Sequence, residues 1–271
     1  MMTRCAALFL TVLLVTTRAE AQFQVAEKGA GEEYRVEFSL RFWSPTPELS
    51  LSTGRLAGLG IGPVDFVQTF GIEKDRFTEY SVTSKAGKHK FRYGSIPISY
   101  TKEAVITRTI QFGGITVPVS TTASTEVDWR LRRYGYEWDF VAADRGYLGL
   151  IADVKDNKFS ANISAGPYGS EDADVRVWVP TVGLGARGYV HRLVSFTGEF
   201  NLEVTRFKGF DRLKTDWDGH LVDFDVYSTV NLGRNVAIQG GYRSLRVDYT
   251  SDSDTANIRL QGLYWGGNLR F

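Results

Sequence analysis

Residues 222–232 read Val222-Asp223-Phe224-Asp225-Val226-Tyr227-Ser228-Thr229-Val230-Asn231-Leu232. Apolar side chains stand at Val222, Phe224, Val226, Val230 and Leu232, with Asp223, Asp225, Tyr227, Thr229 and Asn231 between them. A period of two is the mark of a strand whose faces meet different surroundings. The pattern recurs. Tyr34, Val36, Phe38, Leu40 and Phe42 alternate with Arg35, Glu37, Ser39 and Arg41, and Phe196, Phe200, Leu202 and Val204 with Thr197, Glu199, Asn201 and Glu203. Tyr134, Tyr136, Trp138 and Phe140 alternate with Arg133, Gly135, Glu137 and Asp139. No long window carries apolar residues at helical spacing.

Two environments produce this alternation. A soluble exported sandwich or lipocalin-like binder turns its apolar face inward. A membrane barrel turns it to lipid and keeps the polar face inside. Three features favour the barrel. The segments are long enough to cross a bilayer when tilted. No internal segment is apolar enough for a spanning helix, which leaves closure as the spanning solution. Aromatics gather near segment ends, at Tyr34, Trp138, Phe140, Tyr147, Tyr189, Phe196 and Trp265, where interfacial girdles belong.

Composition narrows the setting. The 271 residues are 43% hydrophobic and 13% aromatic, and 32 basic residues face 31 acidic ones. That balance, with basic residues scattered, gives no pull toward nucleic acid. Cys5 is the single cysteine, so no intrachain disulfide and no cysteine zinc site can form. Arg4, the apolar run Cys5 to Thr17 and the small residues Ala19 and Ala21 make the three parts of a secretory signal peptide cut after Ala21. The expected organisation is a signal peptide at 1–21, a short N-terminal periplasmic segment at 22–33 and a barrel over 34–271.

The chain ends Leu263-Tyr264-Trp265-Gly266-Gly267-Asn268-Leu269-Arg270-Phe271. A terminal Phe271 with Leu269, Trp265 and Leu263 at alternate positions resembles the closing strand of bacterial outer-membrane β-barrels, of small OmpA/OmpW-like or omptin size. The resemblance covers the mature chain but is architectural. It implies recognition of this strand by the barrel-assembly machinery, a location in the outer membrane, and outer-membrane lipids and lipopolysaccharide as surroundings. It carries no catalytic residue onto this sequence and implies no cofactor.

The fold expected is therefore all-β: a closed antiparallel transmembrane barrel of about ten strands, eight to twelve being compatible, with short periplasmic turns and long extracellular loops. The segments are 34–43, 77–85, 88–101, 122–141, 146–156, 175–190, 195–207, 219–232, 235–249 and 256–271. Long polar loops are expected at 44–76, 156–174, 208–219 and 250–255. Residues 104–112 read either as a wall strand replacing 77–85 or as a hairpin projecting from the second external loop. Several strands change face midway, as between Leu131 and Tyr134, which reads as a bulge or an exit from the lipid zone.

A barrel this narrow has an interior that side chains can fill. Arg130, Arg132, Glu137, Asp139, Glu199, Glu203, Asp223, Asp225 and Arg243 fall on polar faces and are expected as lumen charges that pair into a plug, with a narrow conduit for small solutes as the other outcome. Chemical motifs are sparse. His89 and His191 belong near periplasmic turns. His220, at the outer rim beside Asp216, Asp218 and Asp223, is a weak general-base candidate of the omptin protease kind. Gly183-Leu184-Gly185-Ala186-Arg187-Gly188 matches a dinucleotide fingerprint but lacks the following helix, so crowded barrel glycines are the better reading. The acidic stretches 170–174 and 251–254 read as solvated loops, and no spacing indicates a metal site. The favoured function is non-enzymatic: a structural or surface-interaction barrel, with an outer-membrane protease or lipid hydrolase as the enzymatic alternative.

Overall fold

The computed structural model describes residues 29–52, 64–112, 114–204, 218–250 and 255–271. The predicted signal peptide, Asp216 and the acidic stretch 251–254 lie outside the described residues. Ten long strands form the wall: β1 (Val36–Ser52), β3 (Phe77–Ala86), β4 (His89–Val105), β7 (Thr122–Ala143), β8 (Gly146–Ser164), β9 (Ser170–His191), β10 (Val194–Glu203), β11 (Asp218–Asn231), β12 (Val236–Thr250) and β13 (Thr255–Arg270). Each pairs antiparallel with its chain neighbour in the wall, and β13 pairs with β1 over sixteen positions, so the sheet closes. Turns of a few residues join the strands at one end, called here the turn end. The long connections share the opposite loop end.

Two short elements fill that loop end. The first connection carries β2 (Val64–Asp65) and α1 (Phe66–Phe70), capped by the Asp65 side chain accepting from the Gln68 amide. The second carries the hairpin β5 (Ile110–Phe112) and β6 (Ile115–Val117). Of the two readings of residues 104–112, the hairpin is therefore the observed one, and 77–86 is wall.

Three strands outrun expectation. β1 continues to Ser52, and β8 and β9 extend through 156–174, which was expected as a long loop. A tight turn at 165–169 joins them. β3, at Phe77–Ala86, matches its expected span and is short beside its neighbours. Its pairing ends at Trp43↔Phe77 on one side and Ser95↔Tyr80 on the other. Proline explains both stops. Val36 exchanges both bonds with Phe271 while Lys85 N–H bonds the Arg35 carbonyl, so odd positions of β1 aim at β3. Pro45 and Pro47 are odd and have no N–H to offer. On β4, Lys88 bonds β7, so its odd positions, Pro97 among them, aim at β3 as well. Above β3 the wall therefore splits, and α1 packs on β1 and β4 across the opening.

Side-chain alternation holds along β7 from Ala123 to Asp139. Ala123, Thr125, Val127, Trp129, Leu131, Arg133, Gly135, Glu137 and Asp139 all share the inner face. Of the two readings of the face change between Leu131 and Tyr134, no bulge stands there; the apolar residues swap faces along a regular strand, and the irregularity of register lies lower, between Trp138 and Val141. What changes is the chemistry. Toward the turn end the interior is ionic and the exterior apolar. Toward the loop end the interior is a hydrophobic core of Trp43, Ile96, Ile98, Trp129, Leu131, Ile163, Leu245 and Leu260, with Phe66, Phe70 and Phe112 packed in from the connections. There the exterior is Ser, Thr, Asp, Glu, Lys and Arg.

Candidate functional site: the charged lumen

The ionic half of the lumen is one connected network. Lys90 on β4 donates to Glu137 and Asp139 on β7, each at 2.9 Å, beneath the Tyr147 ring. Arg92 reaches Glu137 at 2.7 Å and forks both oxygens of Glu199 on β10, while Arg133 approaches Glu199 at 3.4 Å. Across the lumen, Arg243 on β12 grips Asp223 at 3.0 and 2.9 Å and reaches Glu79 at 3.2 Å. Lys155, fully buried, donates to the same Asp223. Arg41 donates to Asp225 at 2.9 Å, and the Tyr264 hydroxyl donates to it at 2.7 Å. Arg270 pairs with Glu37. Opposite charges thus pair at bonding distance across this half of the lumen.

The segment before β1 seals the turn end. Gly29 N–H bonds the Asp144 carbonyl and Ala30 N–H the Arg192 carbonyl, which draws this segment across the opening. Glu32 then enters the lumen, taking bonds from Lys85 at 2.9 Å, Arg187 at 3.2 Å and the Tyr189 hydroxyl at 3.2 Å. Burial works against ionisation of Glu32, but Arg187 and Lys85 outweigh it and hold the carboxyl down at about 2. Gly31 fits because a Cβ there would stand 2.7 Å from the Tyr189 hydroxyl.

Of the predicted lumen charges, Glu137, Asp139, Glu199, Glu203, Asp223, Asp225 and Arg243 are buried inside. Arg130 and Arg132 are not. They stand on the outer face, and the inner face beside them holds Trp129 and Leu131, at 3% and 2% exposure. At this height the outer face is polar and the apolar residues turn in. Tyr147 and Tyr189, expected in an interfacial girdle, also point inward, where Arg187 stacks on the first and Glu32 bonds the second. Tyr34 lies under Lys85 and Arg270 at the sealed end. Arg41, Lys90, Arg92, Arg133, Lys155, Arg187 and Arg270 are network members beyond the predicted set. Arg41 was legible in the alternation around Phe38 and Leu40.

His220 is exposed on the outer face of β11, in register with Asp248 of β12. Asp223 is on the opposite, inner face, committed to Arg243 and Lys155. Asp218 begins the strand. His89 bonds the Tyr136 hydroxyl at 2.6 Å, and the His191 ring accepts from the Leu193 amide at 3.2 Å, both at the turn end. The acidic stretch 170–174 is strand, with Asp172 bonded to Asn162 and Glu171 to the Gly114 amide. Among the described residues no group of three or more metal-binding side chains converges. The glycine motif lies within β9, where a Cβ on Gly183 would meet the Asn201 side chain and the Phe200 carbonyl at 2.3 Å.

The closing strand is paired over its whole length. Phe271 exchanges backbone bonds with Val36, and its ring meets Phe38 edge-on at 6.2 Å. Leu263, Trp265, Leu269 and Phe271 all face outward. So do Phe38, Phe200 and Phe224, at 48%, 41% and 39% exposure, which rules out the lipocalin-like arrangement that needs them inside.

A closed ten-stranded antiparallel wall with an apolar outer band and an ionic interior is the fold of the outer-membrane β-barrels. The outer-membrane protease OmpT of Escherichia coli superposes with a TM-score of 0.58 at 9% identity, over 87% of this chain and 96% of that one. Neisserial surface protein A matches at a TM-score of 0.37 and 12% identity, covering 87% and 97% of the two chains. The toluene transporter TodX of Pseudomonas putida matches at 0.35 and 7%, covering 92% and 99%. No protein-family model and no curated protein sequence matches the chain.

Proposed function

We propose that this chain is a closed, non-conducting barrel of the bacterial outer membrane, exported by its N-terminal signal peptide, that holds a rigid extracellular half above the lipid as a surface-interaction scaffold. The filled lumen carries this reading. Paired charges occupy one half, a hydrophobic core the other, and Glu32 anchors the N-terminal segment across the turn end. The β13 strand ending at Phe271 serves as the assembly signal, and its outward aromatic positions suit an interfacial girdle. An enzymatic role through His220 lacks support from its geometry, since the ring stands on the outer wall, away from Asp223.

The test is planar-bilayer conductance of the refolded protein, with heat-modifiable gel mobility as the folding control. The expected result is a folded barrel with no conductance steps. Discrete steps from the folded barrel would overturn the closed-lumen reading.

A further inference from the structure

The outer face of β4, β7, β8 and β9 is ordered in rows. Nearest the turn end, Tyr93, Tyr134, Val154 and Pro180 stand side by side, an apolar row suited to lipid. One step toward the loop end come Ser95, Arg132, Asp156 and Trp178. The next row is Pro97, Arg130, Lys158 and Arg176. Three cations thus stand directly opposite one another on three adjacent strands.

Like charges in register across a sheet are destabilising. One member is compensated: Arg176 forks Asp156 at 2.9 and 3.0 Å and lies over the Trp178 ring, while Arg132 stands 3.9 Å from the same carboxylate. Arg130 and Lys158 make no hydrogen bond or ion pair among the described residues, and both are exposed. They edge a shallow groove of about 260 Å³ lined also by Pro97, Ser99, Ser160 and the Asp128 carboxylate. Asp128 and Asp174 stand one row farther from the lipid band.

Height identifies the occupant. Four residues separate Tyr134 from Arg130, roughly 13 Å of strand and about 10 Å along the membrane normal at the usual tilt. The cations therefore sit at headgroup level, directly above an aromatic girdle. Resting on the outer-membrane reading above, we propose that Arg130, Lys158 and Arg176, supported by Arg132, bind the phosphate of an outer-leaflet lipid headgroup, which neutralises the like-charge row. The Arg130 guanidinium and the Lys158 ammonium on one groove, with Arg176 in register beside Lys158, suit a phosphate monoester.

The full chain, folded in neutral detergent, is titrated with bisphosphorylated lipid A, with the same lipid stripped of phosphate, and with inorganic phosphate, reading the heat-modifiable transition. Bisphosphorylated lipid A is expected to raise the transition by several degrees, and the stripped lipid to leave it nearly unmoved. The variant R130Q/K158Q is expected to lose that rise, to need about tenfold more lipid for half its effect, and to melt no lower than the wild type without lipid, because repulsion is relieved. An equal rise with stripped lipid, or an undiminished rise in the variant, would overturn the site. The full effect from inorganic phosphate alone would overturn the lipid assignment. A chain with no heat-modifiable folded form in detergent would overturn the membrane reading itself, whatever the lipid does.

Discussion

The barrel is two proteins in one wall. Toward the turn end, Phe224, Phe200 and Trp138 face out and Arg92, Glu137 and Asp223 face in. Toward the loop end, Trp129, Leu131 and Ile163 face in and Arg130, Lys158 and Glu126 face out. Along β7 the strand crosses the boundary without a bulge, and only the chemistry of its two faces exchanges. The energetics differ accordingly. A buried Phe or Leu in the loop-end core contributes about 1.5–3 kcal/mol by leaving water. A buried ion pair in the turn-end lumen roughly breaks even against its desolvation cost. That half owes its persistence to a closed hydrogen-bond ladder with no alternative partners in lipid, and to the expense of unpairing any one charge.

This contrast can be broken in four ways. Arg92→Ala strips Glu137 and Glu199 of a shared cation and is expected to cost about 3–5 kcal/mol, read from the denaturant midpoint of the refolded barrel. A loss below 1 kcal/mol would mean that water already screens the network. Phe66→Ala is expected to cost about 3 kcal/mol, confined to the loop end. Limited proteolysis should open the first connection while the heat-modifiable barrel survives. Collapse of both together would show a single cooperative unit. Phe224→Arg, on the lipid-facing band, should cost about 2–4 kcal/mol of membrane folding, while Glu126→Arg on the outer face above should stay within about 0.5 kcal/mol. Equal costs would erase the boundary between the halves.

The smallest effect concerns the seal. Glu32 is held at about 2, below its ordinary 4.5, so its ionised form stabilises the folded seal. That contribution is complete above pH 4.5 and fades as pH falls toward 2. Amide exchange at Ala30 and Gly31 should rise over that window in the wild type and be high and flat in Glu32→Gln.

Much of this was legible in the alternation. The strands, the closing Phe271 strand and seven of the lumen charges follow from period two and the long segments. The errors share one physical origin: an alternating pattern reports that two faces differ, but not which solvent each meets. Arg130 and Arg132 were assigned to the lumen because, nearer the turn end, charges do face it. Residues 157–163 show the same ambiguity. Asn157, Phe159, Ala161 and Ile163 alternate with Lys158, Ser160 and Asn162, a strand whose water-facing exterior read as a polar loop. Lys155 was hidden because its partner, Asp223 of β11, comes from a distant strand.

The prolines that halt β3 have a consequence for life in a crowded membrane. Where the wall splits, β4 and the part of β1 between Trp43 and its short pairing with β2 lack a strand partner on that side, the kind of edge on which neighbouring chains add strands and grow into aggregates. Pro45, Pro47 and Pro97 remove donors along both edges, and α1 lies across what remains. An opening made by proline is thus also guarded by it, and adjacent copies can crowd together without zipping into a shared sheet.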